Sequence, residues 1–111
     1  MAHRSSLGEF ELMILLAVIR LDDAAYGVSI SRELVQAASR DVALGSVYAA
    51  LERLEQKGLV TSLLGDPTPA RGGRAKKFFR ATSRGIKEAK LTQRALINLW
   101  SGVPQLGGGR I

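Results

Sequence analysis

The 111-residue chain has no cysteine and contains one histidine, three prolines and few aromatic residues. Without cysteine it can form no disulfide and offers no thiolate as a nucleophile or metal ligand. The single histidine, His3, lies in a terminal segment and has no second imidazole with which to hold a metal ion. We therefore expect no metal site.

Long apolar runs are also absent. The longest, residues 13–19, is far too short to cross a bilayer, and the N-terminus lacks a charged-then-apolar signal layout. We expect a cytoplasmic protein that does not enter a membrane. The sequence has no His/Cys/Asp constellation, and Asp22 and Asp23 fall in a turn without a partner base. It thus predicts neither an enzyme nor a cofactor.

Positive charge, by contrast, is plentiful and unevenly distributed. The net charge is +6, and residues 53–94 hold eleven lysines and arginines against three acidic residues. That stretch carries +8, while the rest of the chain carries −2. A basic half on a nearly neutral half indicates a surface that faces a polyanion, although a solvated face is the common alternative.

Apolar periodicity predicts two helices at the start of the chain. Residues 9–20 are apolar around most of the circumference, with acidic residues first and Arg20 last. This arrangement suits the helix dipole and indicates a central buried helix. Residues 26–38 carry a single apolar stripe at four-residue spacing, from Tyr26 to Ala38, which indicates a second helix.

A third helix is predicted over residues 45–58. Val47, Leu51 and Leu54 form its inner stripe, and Gly58 stands where a left-handed C-cap belongs. The opposite face is small at first and basic later, which suits a helix that enters a DNA groove. A plain amphipathic helix is the alternative. The residues of that face are Ser46, Ala49, Arg53, Gln56 and Lys57.

The second half predicts a hairpin and one more helix. Residues 59–64 and 75–81 are typical of short strands, and the loop between them is rich in glycine, proline and arginine. This loop has no G-x-x-x-x-G-K-[S/T] spacing, so it is not a P-loop. Thr82 or Ser83 can cap a last helix over residues 83–103. The order α-α-α-β-β-α is that of a winged helix-turn-helix, an α+β fold that is mostly α, in which the loop is the wing.

The chain also contains four longer motifs: LGEFELMILLAVIRL, AYGVSISREL, LGSVYAALERLEQKGLV and GDPTPARGGRAKKFFRATSRG. The most specific feature is the spacing of Tyr48, Arg53 and Gly58, followed by the Gly-Gly-Arg of residues 72–74 and two adjacent aromatic residues. With these motifs, over residues 7–101, the chain resembles the PadR family of bacterial transcriptional regulators.

Two features depart from the pattern of that family. Phe78 and Phe79 stand where many members have tyrosines. The chain also stops after one C-terminal helix, so it resembles the small subfamily, in which that helix forms the dimer. The resemblance therefore implies a winged-helix DNA-binding domain over residues 7–82, a dimerisation helix over 83–103 and a flexible tail over 104–111.

The resemblance implies a dimeric repressor that binds a roughly palindromic double-stranded DNA operator, with half-sites about one helical turn (~34 Å) apart. The third helix would enter the major groove, where Ser46 and Ala49 permit close approach. Tyr48 would reach a phosphate, unless its ring simply packs. Of Lys76 and Lys77, at least one should face away from DNA. The predicted DNA contacts are Tyr26, Ser46, Tyr48, Ala49, Arg53, Lys57, Arg71, Arg74, Lys76 and Lys77.

The last helix supplies the predicted homodimer interface and a predicted effector site. The resemblance to small members of the family that bind drugs between their subunits implies that Leu96 and Trp100, four residues apart, receive a small hydrophobic or flat cationic aromatic compound there. Such a compound would release the operator if it favours a spacing of the wings that does not fit DNA. The alternative for Trp100 is an interface anchor alone. The predicted interface residues are Ile86, Ala89, Leu96, Leu99, Trp100 and Val103.

Two other functions stay open on the sequence alone. One is a winged-helix adaptor that binds protein and not DNA. The other is a basic protein that binds DNA without sequence preference. Competition between specific and random DNA over a salt series separates all three, because the adaptor would not bind and the indifferent binder would show no specificity ratio.

Overall fold

The structure is a computed structural model that describes residues 7–65 and 76–107. Its elements confirm the predicted winged helix-turn-helix, an α+β fold that is mostly α. Short 3₁₀ turns follow the first helix, at Asp22–Ala24, and the last, at Pro104–Leu106. The elements are α1 (Glu9–Leu21), α2 (Gly27–Ala38), α3 (Leu44–Gln56), β1 (Val60–Leu64), β2 (Lys77–Ala81) and α4 (Ser83–Trp100).

Helix α1 forms the centre of the fold and packs against α2, α3, β2 and α4. Ile14, Leu15 and Val18 are almost completely buried, as the nearly continuous apolar character of the helix predicted. Each such side chain contributes about 1.5–3 kcal/mol through burial. One side of the helix is not covered, because Leu16 is 44% exposed and faces α4 across a groove.

Helices α2 and α3 each bury one stripe against α1. Ile30 and Leu34 of α2 are buried, whereas Ala38 lies at the exposed end of the helix. The predicted inner stripe of α3 is confirmed. The buried core comprises Ile14, Leu15, Ala17, Val18, Ala25, Ile30, Leu34, Val47, Ala50, Leu51, Leu54, Leu59, Val60, Phe79 and Ala89.

Two backbone features fix where α3 ends and α4 begins. Gly58 has φ 78°, the left-handed conformation that glycine adopts without strain, as predicted. Thr82 is the N-cap of α4: its Oγ1 accepts from the Gly85 N–H at 2.9 Å and donates to the Gly58 carbonyl at 2.8 Å. A Cβ on Gly85 would overlap the Leu59 carbonyl, so α4 starts in direct backbone contact with the base of the hairpin.

Strands β1 and β2 form an antiparallel hairpin, with Val60 opposite Ala81 at its base and Leu64 opposite Lys77 near its tip. Phe79 points into the core, and its N–H donates to the Ala25 carbonyl at 2.8 Å. This bond, together with a bridge between Tyr26 and Phe78, attaches the start of α2 to the hairpin. The predicted wing cations Arg71 and Arg74 lie outside the described residues.

Candidate nucleic-acid interface

Helix α3 presents an exposed stripe opposite its buried one. At about 100° per residue, positions 45, 49, 52 and 56 fall on one line of the helix surface. All four residues, Gly45, Ala49, Glu52 and Gln56, are exposed. We call this stripe the outer face of α3. Ala49, which was predicted to approach the bases, lies in its first half.

One side of the outer face is fixed to α1 by a partly buried carboxylate. The side chain of Glu11 is only 12% exposed, and it accepts from Arg53 Nε at 2.7 Å and from Lys57 Nζ at 2.5 Å. Burial, the largest influence, raises the pKa of the Glu11 carboxyl. The hydrogen bonds and charges of Lys57 and Arg53 outweigh it, so the pKa lies below its ordinary value. Two predicted DNA contacts are therefore held in place beside the outer face.

A shallow groove of about 340 Å³ runs along the same side of α3. Phe10 and Val42 form one wall, and Ser46, Ala49 and Arg53 form the other. The structure therefore brings three of the predicted DNA-contacting residues together at one edge of the outer face. Ser46 lies on this edge and not on the central line.

The other side of the outer face meets the start of α2. A Cβ on Gly27 would overlap the Tyr48 hydroxyl, so the close approach of these two helices requires glycine. Tyr48 remains 44% exposed, and Tyr26 is the N-cap residue of α2. Both tyrosines that were predicted to contact DNA thus lie at the N-terminus of α2, where the helix dipole attracts anions.

The two adjacent lysines of the hairpin lie over different aromatic rings. Lys76 Nζ is 4.0 Å from the centroid of Tyr26, which itself packs edge-on against Phe78 at 5.5 Å. Lys77 Nζ is 5.7 Å from the centroid of Phe79. Because alternate strand residues face opposite sides, Lys76 joins the tyrosines at the start of α2 and Lys77 does not.

Two acidic residues of this region were missed by sequence reasoning. Glu52 follows Ala49 by three residues, so helical spacing alone was enough to place it on the outer face. Glu11 is 42 residues from Arg53 in the chain, and nothing in the local sequence indicates their pairing. Both residues add negative charge to a surface that was predicted to carry small and basic side chains.

A second surface, the α1–α4 groove, lies between those two helices and has a volume of about 500 Å³. Leu96 and Trp100, the predicted effector residues, both line it. Ala89 is 6% exposed and belongs mainly to the chain's own core. Val103 lies beyond α4, because the helix ends at Trp100 and not at 103 as predicted. The groove is lined by Leu12, Leu16, Ile19, Ile86, Ala89, Lys90, Gln93, Leu96, Ile97 and Trp100.

Within residues 7–65 and 76–107, no three metal-ligating side chains gather in one place. No helix in these ranges has the length and apolar character needed to cross a membrane.

Comparison with known proteins identifies relatives of this fold. The model of the transcriptional regulator PadR-like family matches residues 15–91. No curated protein matches the chain. Among solved structures, a PadR-like transcription factor from Bacteroides fragilis is 23% identical, with a TM-score of 0.70 over 81% of this chain and 82% of the other. A transcriptional regulator from Clostridium thermocellum is 26% identical, with a TM-score of 0.65 over 78% of each chain. A PadR family regulator from Clostridium difficile is 21% identical, with a TM-score of 0.70 over 91% of this chain and all of the other.

Proposed function

The chain belongs to the PadR-like family of transcriptional regulators, and we propose that it is a homodimeric, sequence-specific repressor. Members of this family are DNA-binding proteins and not enzymes. The proposal assigns DNA binding to residues 7–82, dimerisation to 83–103 and no specific role to the tail over 104–111. In this proposal the protein acts in the cytoplasm and binds a palindromic DNA operator.

The observation that carries the proposal is the composition of the surface around α3. The outer face is exposed and carries a small residue, Ala49, in its first half. Cations border it on one side, at Arg53 and Lys57, and the phenol of Tyr48 borders it on the other. A helix of this kind fits a major groove, because its centre can approach bases while its borders hold the phosphates of the two strands.

Support for a dimer comes from the apolar side chains that α4 leaves uncovered. Leu96 and Trp100 are 48% and 49% exposed, and Leu16 of α1 lines the same groove; Leu99 is 76% exposed but does not line it. Monomeric proteins seldom leave so many large apolar side chains together, and tryptophan is favoured at the centre of interfaces. A second copy that packs α4 against the α1–α4 groove would cover them.

The same groove supports the effector. Leu96 and Trp100 both border it, so a flat apolar or cationic compound can stack on the indole inside the dimer. A compound that prefers one spacing of the two subunits would weaken operator binding by its differential affinity for the two states.

Footprinting on the DNA upstream of the protein's own gene tests the proposal. We expect two protected half-sites about 10 base pairs apart, on one side of the duplex. Uniform protection would indicate binding without sequence preference. The absence of any protection at micromolar protein would favour the adaptor that binds protein alone.

A further inference from the structure

Glu52 differs from the other glutamates in having no hydrogen-bond or ion-pair partner among the described residues. Four of the other five have a partner that is evident from the geometry: Glu9 with Arg40, Glu11 with Arg53 and Lys57, Glu33 with Arg20, and Glu55 with the Ser62 hydroxyl. Glu88 also has a partner. Within the described residues, no donor or cation pairs with Glu52.

The position of Glu52 indicates what its unpaired carboxylate could contact. The residue lies on the outer face of α3, between the side held by Glu11 and the side that meets Gly27. Its neighbours on that face, Ala49 and Gln56, carry no charge. A carboxylate at the centre of a surface that faces phosphates weakens binding unless it meets a hydrogen-bond donor on the DNA.

The major groove offers a carboxylate few donors. Guanine presents two acceptors there, and thymine presents an acceptor and a methyl group. Adenine presents an amino group beside the N7 acceptor, which repels a carboxylate, whereas cytosine presents its N4 amino group without that neighbour. Cytosine is therefore the base that an ionised glutamate accepts from best.

We propose that Glu52 is a specificity-determining residue, which accepts a hydrogen bond from the N4 amino group of a cytosine at one position in each half-site. The inference rests on the proposed function and deepens it by naming a base. It also explains why an acidic residue is placed on a surface that otherwise binds a polyanion.

Selection of bound duplexes from a randomised pool, followed by sequencing, tests the inference with wild type, Glu52→Ala and Glu52→Gln. We expect wild type to require cytosine at one symmetry-related position. Glu52→Ala should reduce that preference at least about fivefold, the lower end for one base contact, and leave the other positions unchanged. Glu52→Gln should shift the preference towards adenine, because a glutamine amide pairs with both adenine N6 and N7.

Glu55→Gln is the matched control. It removes the same charge from the same helix, but residue 55 lies to the side, where it accepts from Ser62. This variant should bind all duplexes more tightly and select the same sequence as wild type. If Glu52→Ala behaves in the same way, Glu52 only repels phosphate and the inference is wrong, while the proposed function stands. If wild type selects no sequence at all, the proposed function itself fails.

Discussion

At the scale of single residues, the partly buried carboxylate of Glu11 connects the stability of the fold with the placement of two cations. The pKa of Glu11 lies below its ordinary value of 4.5 in the folded protein. The contribution of the charged carboxylate is therefore fully present above the unfolded value, and it is lost as the pH falls through the lowered folded pKa.

We predict that Glu11→Gln lowers the free energy of unfolding by about 1 kcal/mol at neutral pH. Urea unfolding of both proteins across the acid range measures the difference, which should disappear in strong acid, where wild type is also uncharged. Glu9→Gln is the control, because Glu9 is 72% exposed and pairs with Arg40. A loss for Glu11→Gln that stays constant with pH, or equals that of the control, would show that the carboxylate charge has no such role.

The stripes within each helix were predictable from the sequence, and the contacts between helices were not. Val47, Leu51 and Leu54 repeat at helical spacing, so their burial follows from periodicity. The pairing of Glu11 with Arg53 depends on how α1 crosses α3, and the sequence contains no local trace of that crossing. The contact between Tyr48 and Gly27 likewise depends on how α2 packs against α3.

At the scale of elements, α3 carries the account of DNA binding. Ala49→Glu adds a carboxylate to the outer face, one turn from Glu52 and without a donor to meet it. Because Ala49 is exposed, the free energy of unfolding should change by no more than about 0.5 kcal/mol. Operator affinity, measured by fluorescence anisotropy, should fall by about tenfold or more from like-charge repulsion.

Ala37→Glu makes the same change at an exposed position in the last turn of α2, away from the outer face of α3 and from the α1–α4 groove, and should leave operator affinity nearly unaltered. If Ala49→Glu folds and binds like wild type, α3 does not use this face to contact DNA.

The wing is the second element with a proposed role in binding. Arg71 and Arg74 lie outside the described residues, and their contacts with phosphate stay a prediction from the sequence. If both bind phosphate, replacing them with alanine removes four contacts from a dimer. The slope of log affinity against log salt should then become shallower by about 3 to 4 units. Base preference should change little, since phosphate contacts position the protein and do not read sequence.

The control for the wing is Lys87→Ala with Arg94→Ala, which removes the same charge from the exposed surface of α4. Its salt slope should stay close to that of wild type. An unaltered slope in the wing variant would place the loop away from DNA.

At the scale of the whole molecule, the proposed dimer and its effector share the α1–α4 groove. Planar cationic dyes should quench the fluorescence of Trp100, the only tryptophan, in a saturable manner. Trp100→Ala should abolish dye binding while sedimentation still reports a dimer. A wild type without quenching, together with a monomeric variant, would reduce Trp100 to an interface anchor.

The proposed dimer could be anticipated only from the spacing of apolar residues on the last helix. That spacing correctly placed Leu96 and Trp100 on one surface. It also suggested a helix up to Val103, but Ser101 already has an extended backbone, with ψ 133°, and Gly102 follows with φ 80°. Ala89 is part of the chain's own core. The sequence could not show this, because burial within one chain and burial between two copies produce the same periodicity.

The central claim, sequence-specific DNA binding, is tested most directly by electrophoretic competition between an operator duplex and random DNA over a salt series. We predict that the operator competes about 10³-fold or more better than random DNA, and that both affinities fall steeply as salt rises. Equal competition at every salt concentration, or no binding to either duplex, would contradict the account.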